Sequence, residues 1–136
     1  MTDTSLKIIN DKLCLISSFD GKIILSFSPF TKIAEFKSIE QNCIIVREDT
    51  KNFDTSRSNI YRLDDNFEVI WFSELPVDYD TYPNQIAWEK ELNGNGTSWD
   101  DYVVSNNKTL SCSSQKGFTV TIDYEKGKII KSEFTR

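Results

Sequence analysis

Short apolar runs alternate with polar turns along most of this chain, and this pattern predicts β-strands. The runs are rich in Val, Ile, Phe, Tyr and Thr, the residues that strands favour. The clearest is "GFTVTIDY" at 117–124, where apolar side chains at the even positions alternate with polar side chains at 119, 121 and 123. A period of two places one face of such a strand on a core and the other towards water.

Turn residues between these runs predict that consecutive strands pair as hairpins. Asp20-Gly21 separates "KLCLIS" (12–17) from "KIILSF" (22–27), and Asp-Gly between apolar runs is a strong hairpin signal. Further strands are predicted at 32–36, 42–48, 59–64, 67–74, 101–105, 109–114, 117–124 and 128–134. The predicted fold is therefore all-β, an antiparallel meander of hairpins that forms a two-sheet sandwich or a curled, half-propeller-like arrangement.

Helical signals are sparse, and the fold is expected to contain at most one or two short helices. The one candidate is "PNQIAWEKEL" at 83–92, which has Pro83 at the first helical position and Asn93-Gly94 as a stop.

The length of 136 residues predicts a single domain, 1–136, large enough for a core without metal or disulfide support. The first residues, "MTDTSLKIIN", lack the features of a leader, and no window approaches the apolar length of a membrane span. A cytoplasmic location is therefore expected. The three cysteines, Cys14, Cys43 and Cys112, are widely spaced and are predicted to be reduced core thiols.

Charge is distributed unevenly, because the segment 77–102 carries the whole formal net charge of −5. It contains six carboxylates and one lysine, together with two of the three tryptophans. An acidic chain is a poor partner for nucleic acid, whose phosphates need a basic surface. It suits a basic protein instead.

The residue types present argue against an enzyme and against a bound metal or cofactor. Histidine is absent, which removes the triads built on it and the commonest metal ligand. The five glycines form neither a phosphate-binding loop nor a dinucleotide fingerprint. Acidic pairs at 64–65 and at 78 and 80 lack the twelve-residue loop of a calcium site. Asp100-Asp101 with Glu89 or Glu91 would supply glycosidase acids, but a meander of this size leaves little room for a cleft.

A protein-binding face is predicted in the acidic segment, because interfaces favour Tyr and Trp, and carboxylates pair with a basic partner. The proposed contact residues are Asp78, Tyr79, Asp80, Tyr82, Trp88, Glu89, Glu91, Trp99, Asp100, Asp101 and Tyr102. Three alternatives stay open at this point. The segment could be a solvated acidic loop, a carbohydrate or small-ligand site with Trp88 and Trp99 as stacking platforms, or part of a scaffold that associates through strand edges.

Two segments carry a family resemblance. "SNIYRLDDNFEVIWFSELP" (58–76) and "CSSQKGFTVTIDYEKGKII" (112–130) resemble small bacterial immunity proteins of polymorphic and contact-dependent growth inhibition toxin systems. Such proteins share an "N-hydrophobic-x-x-hydrophobic-D … hydrophobic-W" strand pair and a final "hydrophobic-D-x-x-x-G-K-hydrophobic" hairpin. The resemblance implies a cytoplasmic, non-enzymatic antitoxin, expected to be monomeric, that binds the C-terminal domain of one cognate toxin, often a nuclease. It transfers no catalytic residues and assigns no contact residues.

Overall fold

The computed structural model describes residues 4–51, 57–88, 90–92, 102–104 and 108–134. For residues 88, 90–92 and 102–104, only the main chain is described. Within these ranges the fold is all-β, and every strand pairing is antiparallel. The predicted fold class is confirmed.

The strands form three larger sheets and one two-stranded ribbon. Sheet A has the order β1-β2-β3 and contains β1 (Thr4–Ile9), β2 (Lys12–Ser17) and β3 (Ile23–Phe27). Sheet B has the order β4-β5-β6-β7 and contains β4 (Ile33–Glu40), β5 (Cys43–Glu48), β6 (Ile60–Leu63) and β7 (Val69–Phe72). The short strand β8 (Ala87–Trp88) precedes the ribbon of β9 (Lys90–Leu92) and β10 (Tyr102–Val104). Sheet C joins β8 to β11 (Thr109–Ser113), β12 (Phe118–Asp123) and β13 (Lys128–Phe134), in the order β13-β12-β11-β8.

Sheet B is the middle layer, because apolar side chains cover both of its faces. All six residues of β5 are buried. Cys43 and Ile45 belong to a core shared with sheet C, whereas Ile44 and Val46 belong to a core shared with sheet A. Successive side chains of a strand point to opposite faces of the sheet. A strand between two layers therefore needs apolar residues at both its odd and its even positions. The three sheets therefore stack A, B, C, which adds a layer to the predicted two-sheet sandwich.

The buried end of β5 carries two charged residues, and each joins an adjacent segment to sheet B. Glu48 accepts hydrogen bonds from the backbone amides of Phe30 and Thr31, at 3.1 and 2.7 Å, and from the Tyr61 hydroxyl. Arg47 donates to the Glu35 carboxylate at 2.8 Å and to the Pro83 carbonyl at 3.1 Å. Buried charges are tolerated when they are paired in this way. The contact between Arg47 and Pro83 anchors the chain just after residues 77–82.

The prediction of a helix at 83–92 is wrong. Its described residues lie in β8 and β9 or in irregular chain, and β8 pairs with Leu110 and Ser111 of β11. Helix propensity is a weak preference, and pairing with an existing sheet edge overrides it here. No stretch of the described residues forms a helix long and apolar enough to cross a membrane.

The prediction of core thiols is confirmed. Cys14, Cys43 and Cys112 are free and buried, Cys43 and Cys112 in the core between sheets B and C. Burial raises the pKa of the Cys43 thiol from 9.0 to about 11. It also raises the pKa of Cys112. The Cys43 and Cys112 thiols therefore stay protonated at neutral pH and act as packing groups, since the reactive form of cysteine is the thiolate.

Candidate partner-binding site

Between β7 and β8 the chain presents an aromatic and an acidic side chain to solvent on what we call the Tyr79 loop, residues 77–82. Tyr79 is 70% exposed, and its neighbours Val77 and Asp78 are exposed as well. An exposed apolar side chain is unremarkable by itself. Tyrosine is, however, enriched at protein interfaces, which makes this loop a candidate contact surface.

The backbone of Tyr79 adopts the left-handed conformation, with φ at 60°. For a residue with a Cβ, this conformation costs about 1 to 2 kcal/mol. The surrounding chain has to offset that cost, and non-glycine residues in this region are concentrated at ligand contacts and active sites. The position of Tyr79 is therefore imposed by its neighbours.

Asp80 ties the Tyr79 loop to the turn between β11 and β12. Its Oδ1 accepts hydrogen bonds from the backbone amides of Thr81, at 2.8 Å, and Lys116, at 3.1 Å. The amide of Gln115 donates to the Thr81 carbonyl at 2.8 Å. The Lys116 ammonium group donates to the Asp78 carbonyl at 2.9 Å. Three of these contacts, made by residues 78, 80 and 81 on either side of Tyr79, thus fix the loop to the turn of sheet C.

Tyr82 ties the other end of the loop to sheet B. Its side chain is fully buried, and its hydroxyl donates to the Glu74 carbonyl at 2.7 Å. Its main chain pairs with the side chain of Asn59, which is also fully buried. Burial raises the pKa of Tyr82, so its hydroxyl stays protonated and keeps donating at any physiological pH.

These contacts divide the predicted contact residues in two. Asp78 and Tyr79 are exposed and adjacent, as a contact surface requires. Asp80 and Tyr82 are not available to a partner, since they are 1% and 0% exposed. Their inclusion in the predicted face is corrected here: both act as internal anchors, because the Asp80 carboxylate accepts from the Lys116 amide and the Tyr82 hydroxyl donates to the Glu74 carbonyl.

The structure does not describe the side chains of the other seven predicted contact residues. Trp88, Glu91 and Tyr102 have main chain in β8, β9 and β10, and the description stops at their backbone. Glu89, Trp99, Asp100 and Asp101 lie outside the described residues. The carbohydrate hypothesis rests on Trp88 and Trp99, so the described side chains do not bear on it.

The sequence analysis missed three residues that build this site: Val77, Asn59 and Lys116. Val77 adds exposed apolar area beside Asp78. Asn59 stands first in the motif "NIYRLD", where the strand pattern gave no reason to expect a buried amide. Lys116 precedes Gly117 in "SQKG", a turn signal that locates the loop but not its contact.

The exposed groups of the Tyr79 loop are those of a candidate contact surface. Within the described parts of the chain, no three His, Cys, Asp or Glu side chains are grouped as a metal ion would require. Its exposed groups are a carboxylate, a phenol and an isopropyl group, held on a backbone that sheets B and C fix in place. Comparison with protein-family models and with curated proteins finds no match for this chain.

Proposed function

We propose that this chain is an immunity protein that binds and neutralises a cognate bacterial toxin domain in the cytoplasm. The observation that carries the proposal is Tyr79, an exposed aromatic residue held beside Asp78 in a left-handed backbone conformation. The proposed contact surface consists of Val77, Asp78 and Tyr79.

Preorganisation is what makes this surface suitable for tight binding. Association costs free energy for every side chain and loop that becomes ordered. The hydrogen bonds of Asp80 and Tyr82 hold the main chain of the Tyr79 loop in place before any partner arrives, which lowers that cost. Tyrosine then buries a large area with few rotatable bonds, which is why it is common among the residues that dominate binding energies.

Charge indicates the kind of toxin domain. The net charge is −5, and the segment 77–102 supplies all of it. A basic nuclease domain would be attracted at long range, which raises the association rate and makes it fall with salt. At the rim of a nucleic-acid cleft, the Asp78 carboxylate would take the place of a phosphate, so inhibition needs no chemistry from this chain.

The first test uses the gene immediately upstream of the one that encodes this chain. The C-terminal domain of that gene's product is co-expressed with this protein, and complex formation and growth are measured at low and high salt. A stoichiometric complex with relief of growth arrest supports the proposal. A harmless neighbour that does not co-purify overturns it.

Paired substitutions test the surface. Tyr79→Ala should increase the dissociation rate, and Asp78→Lys should slow association at low salt. Glu68→Lys is the matched control, because Glu68 is also exposed but lies in the turn between β6 and β7. It makes the same change in net charge. If all three variants bind as the native protein does, the Tyr79 loop is not the contact surface.

A further inference from the structure

The outer edge of β1 has few of the features that usually protect a sheet edge. β1 has six residues, pairs only with β2 among the described strands, and keeps an unbroken register from Thr4 to Ile9. It contains no proline and carries one charge, Lys7. A free, regular edge offers a row of unpaired backbone donors and acceptors to another strand.

Other edges of the described sheets carry such protection. β4 is interrupted by register shifts between Ile33 and Glu35 and between Ser38 and Glu40. β3 and β13 each pair with one register shift, and β13 has three charged side chains. β7 has only four residues, and the amide of the adjacent Glu74 donates to the Gly127 carbonyl. Bulges and charges of this kind discourage pairing between molecules.

Hairpin geometry identifies the β1 groups that face outwards. Asn10 and Asp11, the two loop residues between β1 and β2, both have positive φ, at 52° and 63°. In a hairpin with a two-residue loop, the flanking pair, Ile9 and Lys12, exchanges both backbone hydrogen bonds. Hydrogen-bonded and non-bonded pairs then alternate along the strand. The amide and carbonyl groups of Thr4, Leu6 and Ile8 therefore point away from β2.

A groove opens beside the same edge. Its volume is about 880 Å³, and its lining includes Thr4, Ser5 and Leu6 of β1 together with Phe36 and Ile44 of sheet B. Ile8, which shares a strand face with Leu6, is 40% exposed just beyond it. A strand added to β1 would lie beside Thr4 and Leu6, at the rim of this groove.

We propose that the occupant is a second copy of this chain, joined through an antiparallel pairing of β1 with β1 about a two-fold axis at Leu6. In this register, Leu6 faces Leu6 of the second copy and Thr4 faces Ile8 of the second copy. The three outward-facing residues on each strand then exchange about six backbone hydrogen bonds. Each exposed Ile8 side chain comes to the groove of the opposite copy, which buries apolar surface on both sides.

Charge selects this register over the next possible one. Moving the axis to Lys7 also places the outward-facing backbone groups of the two strands opposite each other. It sets the two Lys7 ammonium groups directly opposite each other as well. Like charges facing each other across strands are destabilising. With the axis at Leu6, each Lys7 faces Ser5 of the second copy. The inferred state is therefore a dimer, in place of the monomer expected from sequence.

Sedimentation equilibrium over a wide concentration range tests the association. The expected result is a monomer–dimer equilibrium for the native protein. Ile8→Pro removes an outward-facing amide that β2 does not use, a position where an edge strand tolerates proline. It should weaken dimerisation at least tenfold, on the order of two lost hydrogen bonds in the symmetric pair. Ile23→Lys is the control, because it changes an exposed isoleucine on β3, at the far edge of sheet A. A native protein that stays monomeric at every concentration overturns the proposal.

Cysteine cross-linking tests the register without depending on the proline variant. Leu6→Cys places two thiols opposite each other on the axis, so mild oxidation should give a covalent dimer. Thr4→Cys is the matched control on the same strand face, and it should not cross-link because its counterpart lies several residues away. The native cysteines do not interfere, since all three are buried. Equal cross-linking at both positions, or a dimer that fails to cross-link at residue 6, overturns the register. Toxin binding plays no part in either measurement, so the two proposals fail separately.

Discussion

The side-chain amide of Asn59 pairs with the main chain of Tyr82 in the way that one strand residue pairs with another. The Tyr82 amide donates to Asn59 Oδ1 at 2.8 Å, and Asn59 Nδ2 donates to the Tyr82 carbonyl at 2.9 Å. Nδ2 also donates to the Glu48 carbonyl at 2.8 Å. One fully buried side chain thus connects β5, β6 and the Tyr79 loop.

Asn59→Ala should destabilise the protein by about 3 kcal/mol. The substitution leaves backbone groups of Tyr82 and Glu48 buried without these partners, and each such group costs about 1 to 3 kcal/mol. Urea unfolding measures the change. Asn84→Ala is the control, because Asn84 is exposed on the same connection and its loss should cost less than about 0.5 kcal/mol. Equal effects for the two variants would show that the pairing contributes nothing.

Tyr79→Gly should separate binding from stability. Glycine removes the cost of the left-handed backbone, about 1 to 2 kcal/mol, and loses up to about 1 kcal/mol through its freer unfolded chain. The free energy of unfolding should therefore stay level or rise by up to about 1 kcal/mol, while affinity for the toxin domain falls. Phe67→Gly is the contrast. Phe67 has a similar φ of 64° but is buried, so its loss should destabilise the protein by about 3 kcal/mol. A large loss of stability in Tyr79→Gly would mean that the tyrosine packs against the fold.

Two glycines in left-handed turns should respond differently to alanine. Gly127 has φ at 73°, and an added Cβ would lie 2.5 to 2.9 Å from three ring atoms of Trp71. That indole also donates to the Tyr124 carbonyl at 3.2 Å, so it cannot move without losing a hydrogen bond. Gly21 has φ at 72° and open space around it.

Gly21→Ala should therefore cost only the backbone term, about 1 kcal/mol, and Gly127→Ala about 3 kcal/mol, because overpacking adds to it. Thermal and urea unfolding of both variants give the comparison. If Gly127→Ala is no worse than Gly21→Ala, the contact between the turn and Trp71 is looser than described.

Stability should fall in alkaline solution. The pKa of Cys43 rises from 9.0 when unfolded to about 11 when folded, because burial disfavours the thiolate. Burial also raises the pKa values of Tyr61 and Tyr82. Between the unfolded and folded pKa values, the unfolded chain binds fewer protons, so stability is present below pH 9 and declines as the pH rises.

For Cys43 alone, the loss should reach about 2 kcal/mol by pH 11. Urea unfolding at a series of pH values gives the curve, and Cys43→Ala should make it shallower over this interval. A free energy of unfolding that does not change between pH 8 and 11 would contradict the burial of these groups.

Much of the strand architecture could be predicted because it depends on local pattern. The predicted strands at 12–17 and 128–134 match β2 and β13 at both ends. The alternation at 117–124 is confirmed by buried Val120, Ile122 and Tyr124. Three strands are absent from the prediction: β1 has no assignment, and β8 and β9 lie inside the predicted helix. The two residues of β8 pair with a distant sheet edge, which leaves almost no local signal.

The sequence by itself determined that this protein is a meander of β-hairpins, since side-chain alternation and turn residues act between near neighbours. It could not distinguish Asp78-Tyr79 from Asp80 and Tyr82, which are the same residue types in one stretch, "DYDTY". Only the tertiary structure decided that the first pair is exposed and the second buried. The physical reason is that the partners of Asp80 and Tyr82 lie at Lys116 and Asn59, 36 and 23 residues away along the chain.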